Sequence, residues 1–188
     1  MRILLHQCCG PCSVFPVKEL KNGGHDITAY FFNPNIHPLT ELFARFEQAV
    51  LFNRAEKLKM IMDDTYGLID FARTAAFHEN SRCLPCYSVR VDRAAELAAK
   101  NGFDCFSTTL LYSRYQKHEL IIEACEAAAE KHGIKFHYED WRCGWQYGID
   151  ESKRLEMYRQ KYCGCIYSEQ EAYQTRLGKK FAALKKES

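Results

Sequence analysis

Seven of the ten cysteines in this 188-residue chain fall in three short clusters. The clusters are Cys8-Cys9-Gly10-Pro11-Cys12, Cys83-Leu84-Pro85-Cys86 and Cys163-Gly164-Cys165. Thiols at such spacings are typical of metal sites and redox pairs, and a Cys-x-x-Cys motif alone does not separate zinc, iron–sulfur and thioredoxin-like chemistry. One tetrahedral zinc would use four thiols and leave three without a role. A four-iron cluster beside a further metal or redox thiols accommodates all seven, so the clusters favour iron–sulfur chemistry.

The other three cysteines, Cys105, Cys125 and Cys143, stand alone. Cys105 lies in an apolar run and Cys125 lies among alanines, which are contexts typical of a small side chain in a core. We therefore expect both thiols to pack in the interior. The neighbours of Cys143, Gly144 and Trp145, indicate no role for it.

The composition is that of a globular chain. Hydrophobic residues make up 47% of it, with only 5 prolines and 10 glycines, which excludes a disordered, collagen-like or low-complexity protein. The 26 Lys and Arg against 24 Asp and Glu leave a net charge of +2, too small by itself to indicate nucleic-acid binding. The first eight residues contain an apolar run of only three, and no stretch approaches a membrane span. We expect a cytoplasmic protein with no membrane partner.

Short apolar runs alternate with helical patterns, and these elements must position the cysteines. Strands are predicted over residues 2–6, 27–32, 59–62, 104–110 and 134–138, and helices over residues 11–21, 39–57, 87–100, 116–132, 151–161 and 169–184. Residues 63–84 are predicted to be less regular. Repeated βα units with apolar strands predict a single α/β metal-binding catalytic domain over residues 1–188, with a Rossmann-like parallel sheet and helices on both faces.

The first cysteine cluster follows the first predicted strand, at the turn into the first predicted helix. Parallel sheets gather their sites at the carboxyl ends of strands, where related nucleotide-binding domains carry glycine-rich phosphate loops. Thiols replace most of those glycines here. Because a helix N-terminus lowers the pKa of a thiol, the turn suits an anionic, thiolate-bound metal cluster. The second cluster begins a predicted helix, and the third ends the helix predicted over residues 151–161.

Five segments, which together run over nearly the whole chain, carry a family resemblance. They are Cys8-Cys9-Gly10-Pro11-Cys12-Ser13, Asn33-Pro34-Asn35-Ile36 with Glu41 and Arg45, Arg82-Cys83-Leu84-Pro85-Cys86-Tyr87, Thr108-Thr109-Leu110-Leu111-Tyr112-Ser113, and Tyr158-Arg159-Gln160-Lys161-Tyr162-Cys163-Gly164-Cys165. In order and combination they resemble the QueH-type epoxyqueuosine reductases. The resemblance implies a cobalamin-independent, iron–sulfur-dependent reduction of epoxyqueuosine to queuosine, the last step in making this base at the wobble position of tRNA. The predicted fold also resembles the ATP-pyrophosphatase (HUP) architecture.

The resemblance implies that the clustered cysteines are the metal ligands, namely Cys8, Cys9, Cys12, Cys83, Cys86, Cys163 and Cys165. Because seven thiolates outnumber the four terminal positions of a [4Fe-4S] cluster, we expect an additional mononuclear iron beside it. The chain has no glycine-rich dinucleotide fingerprint, so we expect it to hold neither NAD nor flavin. The electrons would come from an external low-potential donor.

Polar residues that follow the predicted strands, together with one arginine of the last motif, are the candidates for substrate contacts. They are Asn33, Asn35, Thr108, Thr109, Tyr112, Ser113 and Arg159. Their amides and hydroxyls suit a diol-bearing ligand, although such residues are also common in ordinary loops. Glu41 and Arg45 stand four apart on a predicted helix and could simply form an ion pair. Epoxide reduction needs a proton donor, for which His6 and Tyr112 are candidates that the sequence does not rank.

A tRNA carrying epoxyqueuosine is the partner that the resemblance implies, and basic residues are the candidates for its phosphates. They are Arg114, Lys117, His118, Arg142, Lys153, Arg154, Arg159 and Lys161, with Lys179, Lys180, Lys185 and Lys186 near the C-terminus. The C-terminal lysines also fit a solvated helix face. Two other classes stay open, a zinc-stabilised tRNA-binding module and a cluster-dependent tRNA thiolation enzyme of the ATP-pyrophosphatase type. The thiolation enzyme would need glycines and an aspartate in the first loop, where this chain has cysteines.

Overall fold

A computed structural model describes residues 1–187 of the chain. The strands are β1 (Arg2–Gln7), β2 (Asp26–Phe32), β3 (Lys59–Asp63), β4 (Cys105–Thr108) and β5 (Lys135–Phe136). The helices are α1 (Gly10–Asn22), α2 (Leu39–Ala55), α3 (Leu68–Ala75), α4 (Cys83–Lys100), α5 (His118–His132), α6 (Trp145–Arg154) and α7 (Ile166–Glu187). Two 3₁₀ turns, Thr109–Tyr112 and Trp141–Gly144, follow β4 and precede α6.

The five strands form one parallel sheet in the order β3-β2-β1-β4-β5. The central strand β1 pairs with β2 and β4, so His6 stands opposite both Tyr30 and Thr108. The strand order reverses between β1 and β4, and ligands of open parallel sheets bind at the carboxyl ends of the strands at such a point. The predicted Rossmann-like α/β sheet is confirmed.

Helices cover both faces of the sheet. Right-handed crossovers place α1 and α2 on one face and α4 and α5 on the other, and α6 packs against α1. Because both faces of β1 are covered, Ile3, Leu4 and Leu5 are fully buried, which explains the continuous apolar run. Among residues 1–187 no helix combines the length and the apolar character that a bilayer span needs.

The two cysteines expected to pack in the interior do so. Cys105 is 2% exposed and Cys125 is fully buried, and both belong to the main hydrophobic core. Cys143 is exposed in the second 3₁₀ turn, where its thiol donates to the Asp140 carbonyl at 3.6 Å. Cys8, Cys9 and Cys12 are buried as well, so position in the sequence, and not burial, separates the packing cysteines from the clustered ones.

Three secondary-structure predictions are wrong. The helix predicted over residues 151–161 ends at Arg154, and Glu156 takes a positive φ of 51°, so the third cysteine cluster lies in an irregular segment before α7. Helix α6 instead begins at Trp145, because Gly148 fits tightly against Tyr112. The stretch predicted to be irregular contains α3, and the strand predicted over residues 104–110 gives way to a 3₁₀ turn after Thr108.

Candidate metal centre

Three cysteines meet at the turn between β1 and α1. The Sγ atoms of Cys8, Cys9 and Cys12 all lie within 4.8 Å of one another, and the three side chains are buried. Gly10 allows this turn to pack against α2, since a Cβ there would come within 2.6 Å of the Gln48 carbonyl oxygen. In the described part of the chain, this is the one set of three or more thiol, imidazole or carboxylate groups with such spacing. The set could hold a metal ion.

Two polar side chains contact these three thiols. The Thr109 hydroxyl accepts from the Cys8 amide at 3.1 Å and donates to its Sγ at 3.5 Å. The Gln160 amide donates to Cys12 Sγ at 3.4 Å and accepts from the Cys9 thiol at 3.4 Å. Hydrogen bonds from Cys12 and Cys9 hold the pKa of Cys8 well below its usual value, while burial raises the pKa of Cys9. The first negative charge of this group therefore belongs on Cys8.

The other four clustered cysteines line one cavity of about 260 Å³, which we call the thiol cavity. Cys83 and Cys86 begin α4, as the sequence predicts, and Cys163 and Cys165 come from the segment before α7. The Gln116 amide donates to Cys163 Sγ at 3.3 Å. The fold therefore brings two clusters that are distant in the sequence to one cavity.

A buried arginine, Arg90, lies against this cavity's cysteines, and the sequence analysis missed it. Its guanidinium donates to Cys86 Sγ at 3.4 Å and to the Cys86 carbonyl at 3.0 Å, and the residue is only 3% exposed. Attraction to Cys86 and Cys163 raises the pKa of Arg90 although burial opposes its charge. The sequence could have indicated this contact, because positions 83, 86 and 90 share one face of a helix.

A second buried arginine, Arg45, fixes the segment that carries Cys163. The predicted pair with Glu41 is confirmed, with 2.7 Å between Arg45 Nε and Glu41 Oε1. The two terminal nitrogens of Arg45 donate to the carbonyls of Cys163 at 2.8 Å and Tyr162 at 3.0 Å. A single guanidinium on α2 therefore holds an irregular loop in place.

A large cleft of about 760 Å³ opens beside the thiol cavity. Its lining includes Cys8, Pro11, Cys12, Tyr112, Ser113, Trp145, Arg159, Gln160 and Lys161. Tyr115, Gln116 and Cys163 line both the cleft and the thiol cavity. The two groups of thiols therefore face adjoining spaces, and a molecule in the cleft reaches both.

Four of the seven substrate candidates line these spaces, and a fifth, Asn33, does not. Tyr112, Ser113 and Arg159 line the large cleft, and Asn35 lines the thiol cavity. Asn33 is fully buried and donates to a β1 carbonyl at 2.8 Å. The Oδ1 atoms of both asparagines are buried and have no hydrogen-bond partner within residues 1–187. An unpaired buried acceptor costs free energy, so the oxygen of Asn35, which lines the thiol cavity, suits a donor from a ligand.

The other two candidates, Thr108 and Thr109, are fully buried behind the thiols. Thr108 Oγ1 contacts His6 Nδ1 at 2.9 Å, and His6 Nε2 contacts the Phe32 carbonyl at 3.0 Å. Burial lowers the pKa of His6 to about 4, so its ring is neutral. The threonine hydroxyls therefore contact His6 and Cys8, and neither residue lines the cleft or the thiol cavity.

The two candidate proton donors differ in their access to the cleft. His6 has both ring nitrogens engaged and is fully buried. Tyr112 lines the cleft and donates its hydroxyl to the Trp145 carbonyl at 3.0 Å, and burial raises its pKa. Of the two, Tyr112 is the one that a molecule in the cleft could contact.

The basic residues separate into paired and unpaired groups. Arg142 and Arg154 each form an ion pair at 2.6 Å, with Asp140 and Glu151 respectively, and His118 is only 6% exposed. Lys117, which lines the thiol cavity, and Arg159 and Lys161, which line the cleft, take part in no ion pair within the described residues, and neither does Arg114 beside Tyr115. Unpaired cations at the rim of a cleft favour an anionic ligand.

Comparisons with known proteins agree with this site. The family model described as epoxyqueuosine reductase QueH matches residues 3–171. A relative from Dehalococcoides mccartyi named epoxyqueuosine reductase QueH is 33% identical over 172 residues, covering 92% of this chain and 94% of the relative. A relative of the same name from Acinetobacter baylyi is 36% identical over 178 residues, covering 89% of this chain and 80% of the relative.

A solved structure shares the fold. It is a predicted subunit of a tRNA methyltransferase from Methanocaldococcus jannaschii, with a TM-score of 0.57 and 11% identity over 81% of this chain and 74% of that one. At this identity the likeness concerns the fold alone. The family model covers all three cysteine clusters and, except for Ala172, the residues that line the two spaces. The chain therefore belongs to the QueH family of epoxyqueuosine reductases.

Proposed function

We propose that this chain reduces epoxyqueuosine in tRNA to queuosine. The observation that carries the proposal is that six of the seven clustered cysteines line two adjoining spaces, with Cys9 buried beside Cys8 and Cys12, in a chain of the QueH family. The reaction breaks both epoxide C–O bonds and forms a C=C double bond between the two carbons, while two electrons and two protons convert the oxygen to water. An external low-potential donor supplies the electrons.

The spacing of the first three thiols and the number of thiols in the thiol cavity support two metal sites of different kinds. Sulfur ligands about 2.3 Å from one tetrahedral metal lie about 3.8 Å apart. The Cys8 and Cys9 Sγ atoms are 3.9 Å apart, and Cys12 lies within 4.8 Å of both, so this group suits a single iron. The four thiols of the thiol cavity are the number that a [4Fe-4S] cluster binds. When bound, the cluster would supply electrons, and the single iron would polarise the C–O bond.

The side chains around the thiols would balance charge and hold the substrate. Arg90 and Arg45 place two buried positive charges near the thiolates. Asn35 offers an unpaired amide oxygen to a hydroxyl or N–H donor of the substrate. The Tyr112 hydroxyl, already at the cleft, is the proposed proton donor to the departing oxygen. A Tyr112→Phe variant that retains its iron should then lose turnover but keep tRNA affinity.

The test is anaerobic purification followed by iron, acid-labile sulfide and turnover measurements. We expect a brown protein that converts epoxyqueuosine to queuosine in tRNA with dithionite as reductant, as detected by mass spectrometry of the nucleosides. Cys12→Ser should lose about one iron with its sulfide retained, and Cys83→Ser should lose the sulfide as well. Colourless protein with one zinc and no turnover would instead support a tRNA-binding module. ATP-dependent incorporation of sulfur into tRNA would support a thiolation enzyme.

A further inference from the structure

Tyr115 stands between the large cleft and the thiol cavity and lines both of them. The residue is 83% exposed, which is unusual for an aromatic side chain this close to buried thiols. Its hydroxyl makes no hydrogen bond to any residue in the described range, whereas those of Tyr87 and Tyr112 are bonded. The packing of the chain itself therefore gives little reason for this exposed ring.

The backbone around Tyr115 is held firmly. The backbone N–H of Tyr115 donates to the Ser113 hydroxyl at 3.3 Å, and the backbone N–H of Gln116 donates to the Ser113 carbonyl at 3.3 Å. The Tyr115 ring meets Trp145 edge to face, with 5.4 Å between the ring centres and an angle of 80°. The contact with Trp145 thus orients the ring, and most of its surface stays open to stacking.

The charges around this ring identify the kind of molecule that would cover it. Arg114 and Lys117 flank it in the sequence, and Arg159 and Lys161 line the neighbouring cleft without ion-pair partners in the described chain. Fixed aromatic rings beside free cations are typical of surfaces for unpaired nucleotides, where bases stack and phosphates meet the cations.

We infer that Tyr115 is the stacking surface for the nucleobase next to the modified nucleotide, an inference that rests on the proposed function. To reach the thiols, the modified base must leave the stack of the anticodon loop. Its neighbour then loses a stacking partner, and the Tyr115 ring replaces that partner. Tyr115 is accordingly a positioning residue that acts on the RNA beside the reacting base.

The test compares Tyr115→Ala and Tyr115→Phe with Phe43→Ala in metal-loaded protein. Phe43 is a matched control, since it is 62% exposed on α2 and lines neither the cleft nor the thiol cavity. We expect Tyr115→Ala to lower kcat/KM about tenfold on an anticodon stem-loop carrying epoxyqueuosine, chiefly through KM, and to leave the free epoxyqueuosine nucleoside unaffected. Tyr115→Phe should stay near the wild type, because stacking needs only the ring.

Binding of an unmodified stem-loop, measured by fluorescence anisotropy, tests the inference without turnover. Tyr115→Ala should raise its Kd about tenfold, with iron content and melting temperature unchanged. An unchanged Kd, or an equal loss of kcat/KM on the free nucleoside and the stem-loop, would overturn the inference. Absence of epoxyqueuosine reduction by the wild type, together with the tenfold rise in Kd, would reject the proposed function while supporting the stacking role.

Discussion

Two guanidinium groups lie among the cysteines, and both are almost inaccessible to solvent, with Arg45 at 1% and Arg90 at 3% exposure. A buried cation costs several kcal/mol unless negative charge and hydrogen bonds compensate it. Arg45 has Glu41 and two carbonyls as partners, but Arg90 has only the Cys86 sulfur and carbonyl as hydrogen-bond acceptors in the described chain. Burial raises the pKa of Cys86 to about 12 and also raises that of Cys163, and the charge of Arg90 opposes both shifts, so Arg90 favours thiolate charge in the cavity.

Replacing Arg45 with Lys tests how strongly the cysteine segment depends on one side chain. The amine keeps the charge but cannot reproduce three directed bonds, so the free energy of unfolding should fall by about 3 kcal/mol. The variant should also lose the iron of the proposed cluster, because the Cys163 carbonyl would lose its hydrogen-bond donor. Urea unfolding and iron analysis measure both effects. Arg54→Lys, at the exposed end of the same helix, should change stability by less than about 0.5 kcal/mol, and a similar loss in both variants would contradict the argument.

The sorting of cysteines by their spacing in the sequence leads to a second contrast. Cys83→Ser and Cys86→Ser should abolish the cluster and activity, because serine oxygens are poor ligands for iron–sulfur clusters. Cys105→Ala and Cys125→Ala should keep both and cost about 1 kcal/mol of stability, the scale of one buried methylene group. Visible absorption and sulfide content measure the outcome. Disappearance of the cluster in Cys105→Ala would show that spacing in the sequence does not separate metal ligands from packing cysteines.

At the scale of elements, the sequence predicts parts of the site that follow a local pattern and misses those set by distant contacts. The apolar run of β1 followed by cysteines and a proline predicts the first turn, and Cys83 begins a helix as expected. The segment before α7 has no such pattern, because its shape depends on Arg45, which stands 118 positions from Cys163. For the same reason the amides of Gln116 and Gln160 could not be assigned to thiols from the sequence.

Helix α6 shows the same dependence on distant contacts. Its glycine, Gly148, is a residue type that disfavours helices, but here it allows close packing. A Cβ at Gly148 would come within 2.1 Å of the Tyr112 hydroxyl oxygen, whereas one at Gly178 in α7 would meet nothing within 4 Å. Gly148→Ala should therefore lower the free energy of unfolding by about 1–3 kcal/mol through overpacking. Gly178→Ala should raise it by up to about 1 kcal/mol through helix propensity.

Urea unfolding of the two glycine variants under the same conditions gives the comparison. Turnover should also fall in Gly148→Ala alone, because Tyr112 lines the cleft. Changes in the free energy of unfolding that have the same sign in both variants would mean that helix propensity, and not the fit against Tyr112, determines the effect of alanine at position 148.

Over the whole molecule, the net charge of +2 hides an uneven distribution. Several cations far from the cleft are neutralised locally, such as Arg93 and Lys100 by Glu96 and Lys131 by Asp92. Arg159 and Lys161, which line the cleft, have no such partner within the described residues. A nearly neutral chain can therefore present a positive surface at one place.

This distribution predicts how salt affects binding of tRNA. Each phosphate contact that is lost should reduce the slope of log affinity against log salt by about 0.7–0.9, because fewer counterions are released. Arg159→Ala and Lys161→Ala should each lower the slope by about that amount. Lys185→Ala and Lys186→Ala, near the end of α7, should leave it nearly unchanged. Filter binding of tRNA between 50 and 200 mM salt, roughly the range in which such contacts are felt, measures the slopes. Equal reductions from the α7 lysines would place the phosphates along that helix, and the substrate would then have to approach the thiols from a side other than the large cleft.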